Sequence, residues 1–148
     1  MTKLIGIWLV MIVGLWGCVH QDHLHTAFLS TVCIKPHKNY VYHVCHDIHI
    51  MIDKKKYTVA KGFKTDLASI PRPIWSIMSP AHSSLMRPAI VHDWFYKQTC
   101  EFDRAQTDLI FYHMLKNDGI SDARASLMYY AVRLFGAQFY KDNYCEHQ

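Results

Sequence analysis

The chain has 148 residues, of which 51% are hydrophobic and 19% charged, with a net charge of +4. That composition excludes a disordered or low-complexity chain and allows one hydrophobic core. A positive balance this small and scattered does not mark a nucleic-acid surface, so no nucleic acid is expected as a partner.

Met1-Thr-Lys is followed by an uncharged apolar run from Leu4 to Trp16, which ends in Leu15-Trp16-Gly17-Cys18. The run falls short of the ~20 apolar residues that span a bilayer and reads as the core of a signal peptide. Leu15, Gly17 and Cys18 fit a lipoprotein signal, in which the cysteine thiol takes a diacylglycerol. Residues 1–17 are therefore expected to be a lipoprotein signal peptide, 18–27 a polar tether, and 28–148 one globular domain. Val19 after the cysteine resembles lipoproteins sorted to the outer membrane. The expected location is the periplasmic side of the envelope, with the membrane reached through Cys18. An ordinary cleaved signal or an uncleaved anchor is the competing reading.

Apart from Cys18, the cysteines are Cys33, Cys45, Cys100 and Cys145. An even number in an oxidising compartment predicts two disulfides. Of the three connectivities, Cys33–Cys45 with Cys100–Cys145 is favoured, because the first pair brackets an apparent hairpin.

From Phe28 to Phe63 the chain favours β structure, in runs at Phe28–Ile34, Tyr40–Ile52 and Tyr57–Phe63 separated by turn compositions. A small antiparallel β-meander is predicted, with Lys54-Lys55-Lys56 in a solvated turn. His43, Cys45, Asp47 and His49 fall on one strand face, but neighbours at that spacing lie ~7 Å apart, too far for four to share one ion. A polar face is the expected reading. Thr65-Asp66-Leu-Ala-Ser69-Ile-Pro71-Arg72-Pro73 is too proline-rich for a long helix and reads as a structured loop, with Asp66 and Ser69 as capping groups.

Three helices follow. The first is capped by Ser83 or Ser84, carries Pro88 near its first turn and runs to Lys97; the second spans Phe102 to Asn117. The third starts at Ser121 or Asp122 and reaches Gly136. The expected fold is α+β, a sheet followed by a three-helix half.

The chemistry-bearing residues gather on the helices. His92 and Tyr96 lie four apart on one face of the first, and an antiparallel return of the second brings Asp108 opposite His92. A carboxylate on one ring nitrogen fixes the imidazole tautomer and strengthens the other nitrogen as a base. Asp93 is placed to hold a hard cation. Thr65, Ser69, Arg72 and Arg104 are candidate supporting groups, the arginines as partners of Asp66 or Asp108. His92 could instead bond Asp108 or Thr65 purely structurally.

The His92-Asp93-x-x-Tyr96 motif, with Asp108 and Phe111 on the next helix, resembles the active-site helices of secreted phospholipase A2 enzymes. The resemblance implies His92 as the base activating water, Asp108 as its orienting partner, Tyr96 as a supporting donor and Asp93 as a calcium ligand. The glycine-rich calcium loop of those enzymes is missing here. The segment from Thr65 to Pro73 would have to complete the Ca2+ shell, through Asp66 or its carbonyls.

A longer resemblance is carried by Ala60-Lys-Gly-Phe-Lys-Thr65-Asp66-Leu-Ala-Ser69-Ile-Pro71-Arg72, Ala89-Ile-Val-His92-Asp93-Trp-Phe-Tyr96, Arg104-Ala-Gln-Thr-Asp108 and Met128 to Gly136. These resemble the bacterial and phage family called domain of unknown function 1353, across Phe28 to Gly136. That resemblance implies membership without an activity, in bacterial, phage and prophage settings.

The leading expectation is a hydrolase acting on an ester of a lipid or other envelope component. Its rivals are a non-catalytic envelope or phage-related accessory lipoprotein, and an HD-type metal phosphohydrolase built on His92-Asp93 with His82 or His113.

Overall fold

A computed structural model of the chain describes residues 24–38, 41–67, 83–98 and 101–140. The signal peptide, Cys18, Ser69, Arg72, His82, Cys100 and Cys145 lie outside the described residues. The fold is α+β. Strands β1 (Thr26–Phe28), β2 (Ile34–Pro36), β3 (Tyr42–Val44), β4 (Ile48–Ile52), β5 (Lys55–Val59) and β6 (Lys64–Thr65) precede helices α1 (Ser83–Gln98), α2 (Arg104–Asn117) and α3 (Asp122–Phe135), and a 3-10 turn at Ala137–Phe139 follows.

All pairings are antiparallel, but the strands divide between two sheets, β1-β4-β5 and β2-β3-β6, rather than forming one meander. The run expected from Tyr40 to Ile52 breaks between β3 and β4 for a local reason. Cys45 is bonded to Cys33 at a Cα separation of 5.3 Å, and Asp47 Oδ1 accepts from the Lys61 amide at 2.8 Å. Each tie turns the chain out of strand β3. The favoured Cys33–Cys45 pairing is thus the one observed.

In β4, Ile48, Ile50 and Ile52 alternate into the core, and Tyr57 and Val59 do the same from β5. A two-residue turn joins these strands, with Asp53 and Lys54 both at positive φ (44° and 70°), the twist that suits a tight hairpin. Lys55 and Lys56 therefore belong to β5 rather than to the turn. Asp53 Oδ1 accepts from the His25 amide at 3.0 Å, which secures the start of β1. That strand begins at Thr26, two residues before the expected domain boundary, because Thr26 pairs with Ile52 and receives Asn117 Nδ2 from α2 at 2.7 Å.

The helices start and stop where capping chemistry directs. Asp103 and Gln106 form a reciprocal capping box, at 2.7 and 2.9 Å, that starts α2 at Arg104 rather than Phe102. Gly119, at φ 86°, turns the chain out of α2. Helix α1 begins at Ser83, so Pro88 sits in its second turn, where it has no N–H to give the carbonyl four residues back. Leu85, Ile90, Phe95, Phe111, Leu115, Met128 and Val132 close the core against the isoleucines of β4. No described helix is long and apolar enough to cross a membrane.

Candidate functional site: a buried histidine-carboxylate network

Helices α1 and α2 bring together the three residues expected at the centre. His92 Nε2 lies 2.7 Å from Asp108 Oδ1, and the Tyr96 hydroxyl donates to the same oxygen at 2.5 Å. The second oxygen, Oδ2, accepts from Arg133 Nη1 at 2.9 Å and faces Arg104 Nη1 at 3.9 Å. An ionised carboxylate can only accept, so the hydrogen in the first contact sits on His92 Nε2. The other ring nitrogen, Nδ1, is buried without a partner among the described residues.

Charge at this centre is set by opposing effects. Burial pushes the Asp108 carboxyl up, but hydrogen bonds from His92, Tyr96 and Arg133, with the His92 charge, outweigh it and hold it below its ordinary value. Burial also raises the Tyr96 hydroxyl far above the usual phenol range, and its bond to Asp108 adds to this, so it stays protonated as a donor. Arg133 is raised by its bond to Asp108 and remains a cation.

Arg133 was not identified from sequence. The signal available was its place on the border of the Ala125, Met128 and Val132 stripe of α3. Arg104 does pair with Asp108, and its guanidinium also donates to the Arg133 carbonyl at 3.1 Å, which binds α2 to the end of α3. Gly136 makes this junction possible: a Cβ there would meet the Val132 carbonyl oxygen at 2.5 Å and the Tyr96 hydroxyl at 3.1 Å.

Asp93 points to a different group. Its Oδ2 accepts from Thr65 Oγ1 at 2.5 Å, and Thr65 Oγ1 in turn accepts from the Leu67 amide at 3.2 Å. Leu67 takes a left-handed conformation, φ 52°, which a branched side chain adopts at a cost of ~1–3 kcal/mol. Lys97 Nζ lies 3.5 Å from Asp66 Oδ1 and 3.9 Å from Asp93 Oδ2. His92 and Asp93, adjacent in sequence and ~100° apart around α1, therefore serve different neighbours, α2 and β6.

Calcium takes six to eight oxygens, and of the segment from Thr65 to Pro73 expected to complete its shell, residues 68–73 lie outside the described residues. An ammonium already stands between the two carboxylates that would have to share the ion, and no three His, Cys, Asp or Glu side chains gather as a ligand set among the described residues. The same observation weighs against an HD-type metal centre, since His92 is turned to Asp108 while His113 packs against Tyr112. The β3–β4 polar face is likewise dispersed, with Cys45 in a disulfide and His49 Nδ1 bonded to Thr58 at 2.9 Å.

The His92 ring is closed off: it is 1% exposed and packs at a tilt against Tyr96 and Phe111, at centroid distances of 4.1 and 4.9 Å. The interface between α1 and α2 is apolar on both sides of the ring, which is why it closes. A cleft of about 410 Å³ lies elsewhere on α1, lined by Phe63, Lys64, Trp94, Lys97 and Gln98 among others, and does not include His92.

The sequence matches a family model over residues 42–132, from β3 to the penultimate turn of α3, so the match covers His92, Asp93, Tyr96 and Asp108 and stops one residue short of Arg133. Two proteins of Sinorhizobium fredii (strain NBRC 101917 / NGR234) are similar. "Uncharacterized protein y4jT" is 32% identical over 82 residues, which is 55% of this chain and 24% of the relative. "Uncharacterized protein y4iH" is 32% identical over 80 residues, 53% of this chain and 33% of the relative. The matches thus span between a quarter and a third of those longer chains. No solved structure matches. With the model covering well over half of its length, this chain belongs to the family described as "Protein of unknown function (DUF1353)".

Proposed function

We propose that this chain is an envelope hydrolase, held to the membrane by a lipid on Cys18, in which His92 is the base and Asp108 its orienting partner. The bond attacked is an ester of a lipid or another envelope component. The observation that supports this reading is the pairing of His92 Nε2 with Asp108 at 2.7 Å while Nδ1 stays buried without a partner among the described residues. An unmatched buried polar nitrogen costs ~1–3 kcal/mol, which a water or substrate atom bonded to Nδ1 would offset.

In this reading a water bonded to Nδ1 attacks the ester carbonyl and gives its proton to Nδ1 as the C–O bond forms. Asp108, held by Tyr96 and Arg133, stays ionised and stabilises the imidazolium. The proton then passes to the departing alkoxide, leaving acid and alcohol. The ring must be uncovered for substrate to arrive, so the site works only when the apolar cover over His92 moves.

The test is fatty-acid release from phospholipid, and acid release from a short-chain ester, by the full chain with calcium and with chelator. Hydrolysis in both conditions is expected, with a loss of at least ~100-fold in a folded His92→Gln variant. Full activity in that variant would sink the reading. The near-complete burial of His92 and the saturation of Asp108 favour a second reading, a non-catalytic envelope or phage-related accessory lipoprotein. Under it no ester is cleaved, and His92→Gln changes stability alone.

A further inference from the structure

The large apolar side chains left exposed are not spread over the molecule. Among the described residues there are seven, and six of them, Leu109, Leu127, Tyr130, Leu134, Phe135 and Phe139, sit on α2, α3 and the turn after α3. Leu127, Tyr130 and Leu134 are spaced three and four apart, so they form one stripe along the outer face of α3, opposite the buried Ala125, Met128 and Val132. Tyr130 is 62% exposed and Leu134 72%. Such a concentration marks an interaction surface rather than the scattered apolar exposure of any folded chain.

The charges around the stripe select its partner. Between Ala123 and Phe135 there is no acid, and helical geometry places Arg124 and Arg133 on opposite borders of the stripe. Asp122, the acid of the first turn, is already paired with Lys116 at 3.0 Å. Arg133 already meets Asp108, so Arg124 is the border cation that a second copy docked across a two-fold axis would cover with no carboxylate on its own stripe to meet it. Anionic lipid headgroups supply that complement, while Leu, Phe and Tyr side chains suit the boundary between headgroups and acyl chains. Seven residues lie between Cys18 and Thr26, a reach of at most about 28 Å, so a lipid at Cys18 would keep the folded domain close to a bilayer.

We infer that the outer face of α3 and the turn after it docks on an anionic membrane surface. The inference goes beyond the hydrolase reading and stands whether or not an ester is cleaved. It adds one relation to it: Arg133, which holds Asp108, borders the docked face, so the surface and the network share one helix end.

Amide hydrogen exchange of the full chain, read by mass spectrometry over residues 127–139, tests it without any activity assay. Vesicles of phosphatidylethanolamine and phosphatidylglycerol are expected to slow that segment at least ~5-fold, while β4 and β5 are unchanged. Phosphatidylcholine vesicles are expected to slow it less. The double variant Leu134→Asp, Phe135→Asp changes exposed positions, so it should keep the wild-type Tm and lose the slowing. Vesicle attachment that leaves residues 127–139 exchanging as in solution overturns the inference, as does equal slowing on both lipids. Protection that grows with protein concentration in the absence of vesicles also overturns it, in favour of a second copy.

Discussion

Arg133 Nη1 donates to Asp108 Oδ2 at 2.9 Å across a sequence separation of 25, so the carboxylate that orients His92 is held by α3 as well as by the helices that carry the pair. The consequence is that the end of α3 controls a centre to which it supplies no other side chain. Arg133→Met removes a charged hydrogen bond to a fully buried carboxylate and should cost ~1.5–3 kcal/mol of stability, read from urea unfolding. It should also raise the Asp108 carboxyl, visible as acid unfolding at higher pH. An unchanged urea midpoint and acid limb would show that Arg104 alone suffices.

Asp108 should dominate the acid limb of stability. Its folded pKa lies below the ordinary value of 3.8, so the unfolded chain binds more protons than the folded one between those two pH values. The stabilisation is full above the ordinary value and is lost as pH falls through the folded one. Asp108→Asn is therefore expected to be less stable at neutral pH by ~3 kcal/mol or more and to show a flatter decline below pH 4. Chemical unfolding across an acid pH series checks both the size and the slope.

Gly136 is needed for closeness rather than for flexibility, since its φ of -78° is open to any residue. A methyl there would meet the Val132 carbonyl oxygen at 2.5 Å. Gly136→Ala should lower stability by ~1–3 kcal/mol through overpacking and displace Tyr96 from Asp108. Thermal unfolding measures the first effect, and a shift of the Tyr96 ring resonances measures the second.

The Cys33–Cys45 bond closes a loop of sequence separation 12. Replacing both cysteines by serine should cost ~2–3 kcal/mol, and reductant should destabilise the wild type but not the variant. Denaturant unfolding with and without reductant reads both results. A variant as stable as the oxidised protein would mean that the Asp47–Lys61 contact is enough to break the strand.

What the sequence determined follows from short-range rules. The four-residue spacing of His92 and Tyr96 put them on one face, and the short α1–α2 connection returned Asp108 to them. Near neighbours also made Cys33–Cys45 the favoured bridge. What the tertiary structure decided depends on contacts between segments with no common period. Nothing near Arg133 in the sequence directs it to Asp108, and nothing in Asp66-Leu67 announces that Asp66 will reach Lys97, the i+4 neighbour of Asp93. The closing of His92 under Tyr96 and Phe111 is of the same kind, because the exposure of a side chain is a property of everything packed around it, which local pattern does not contain.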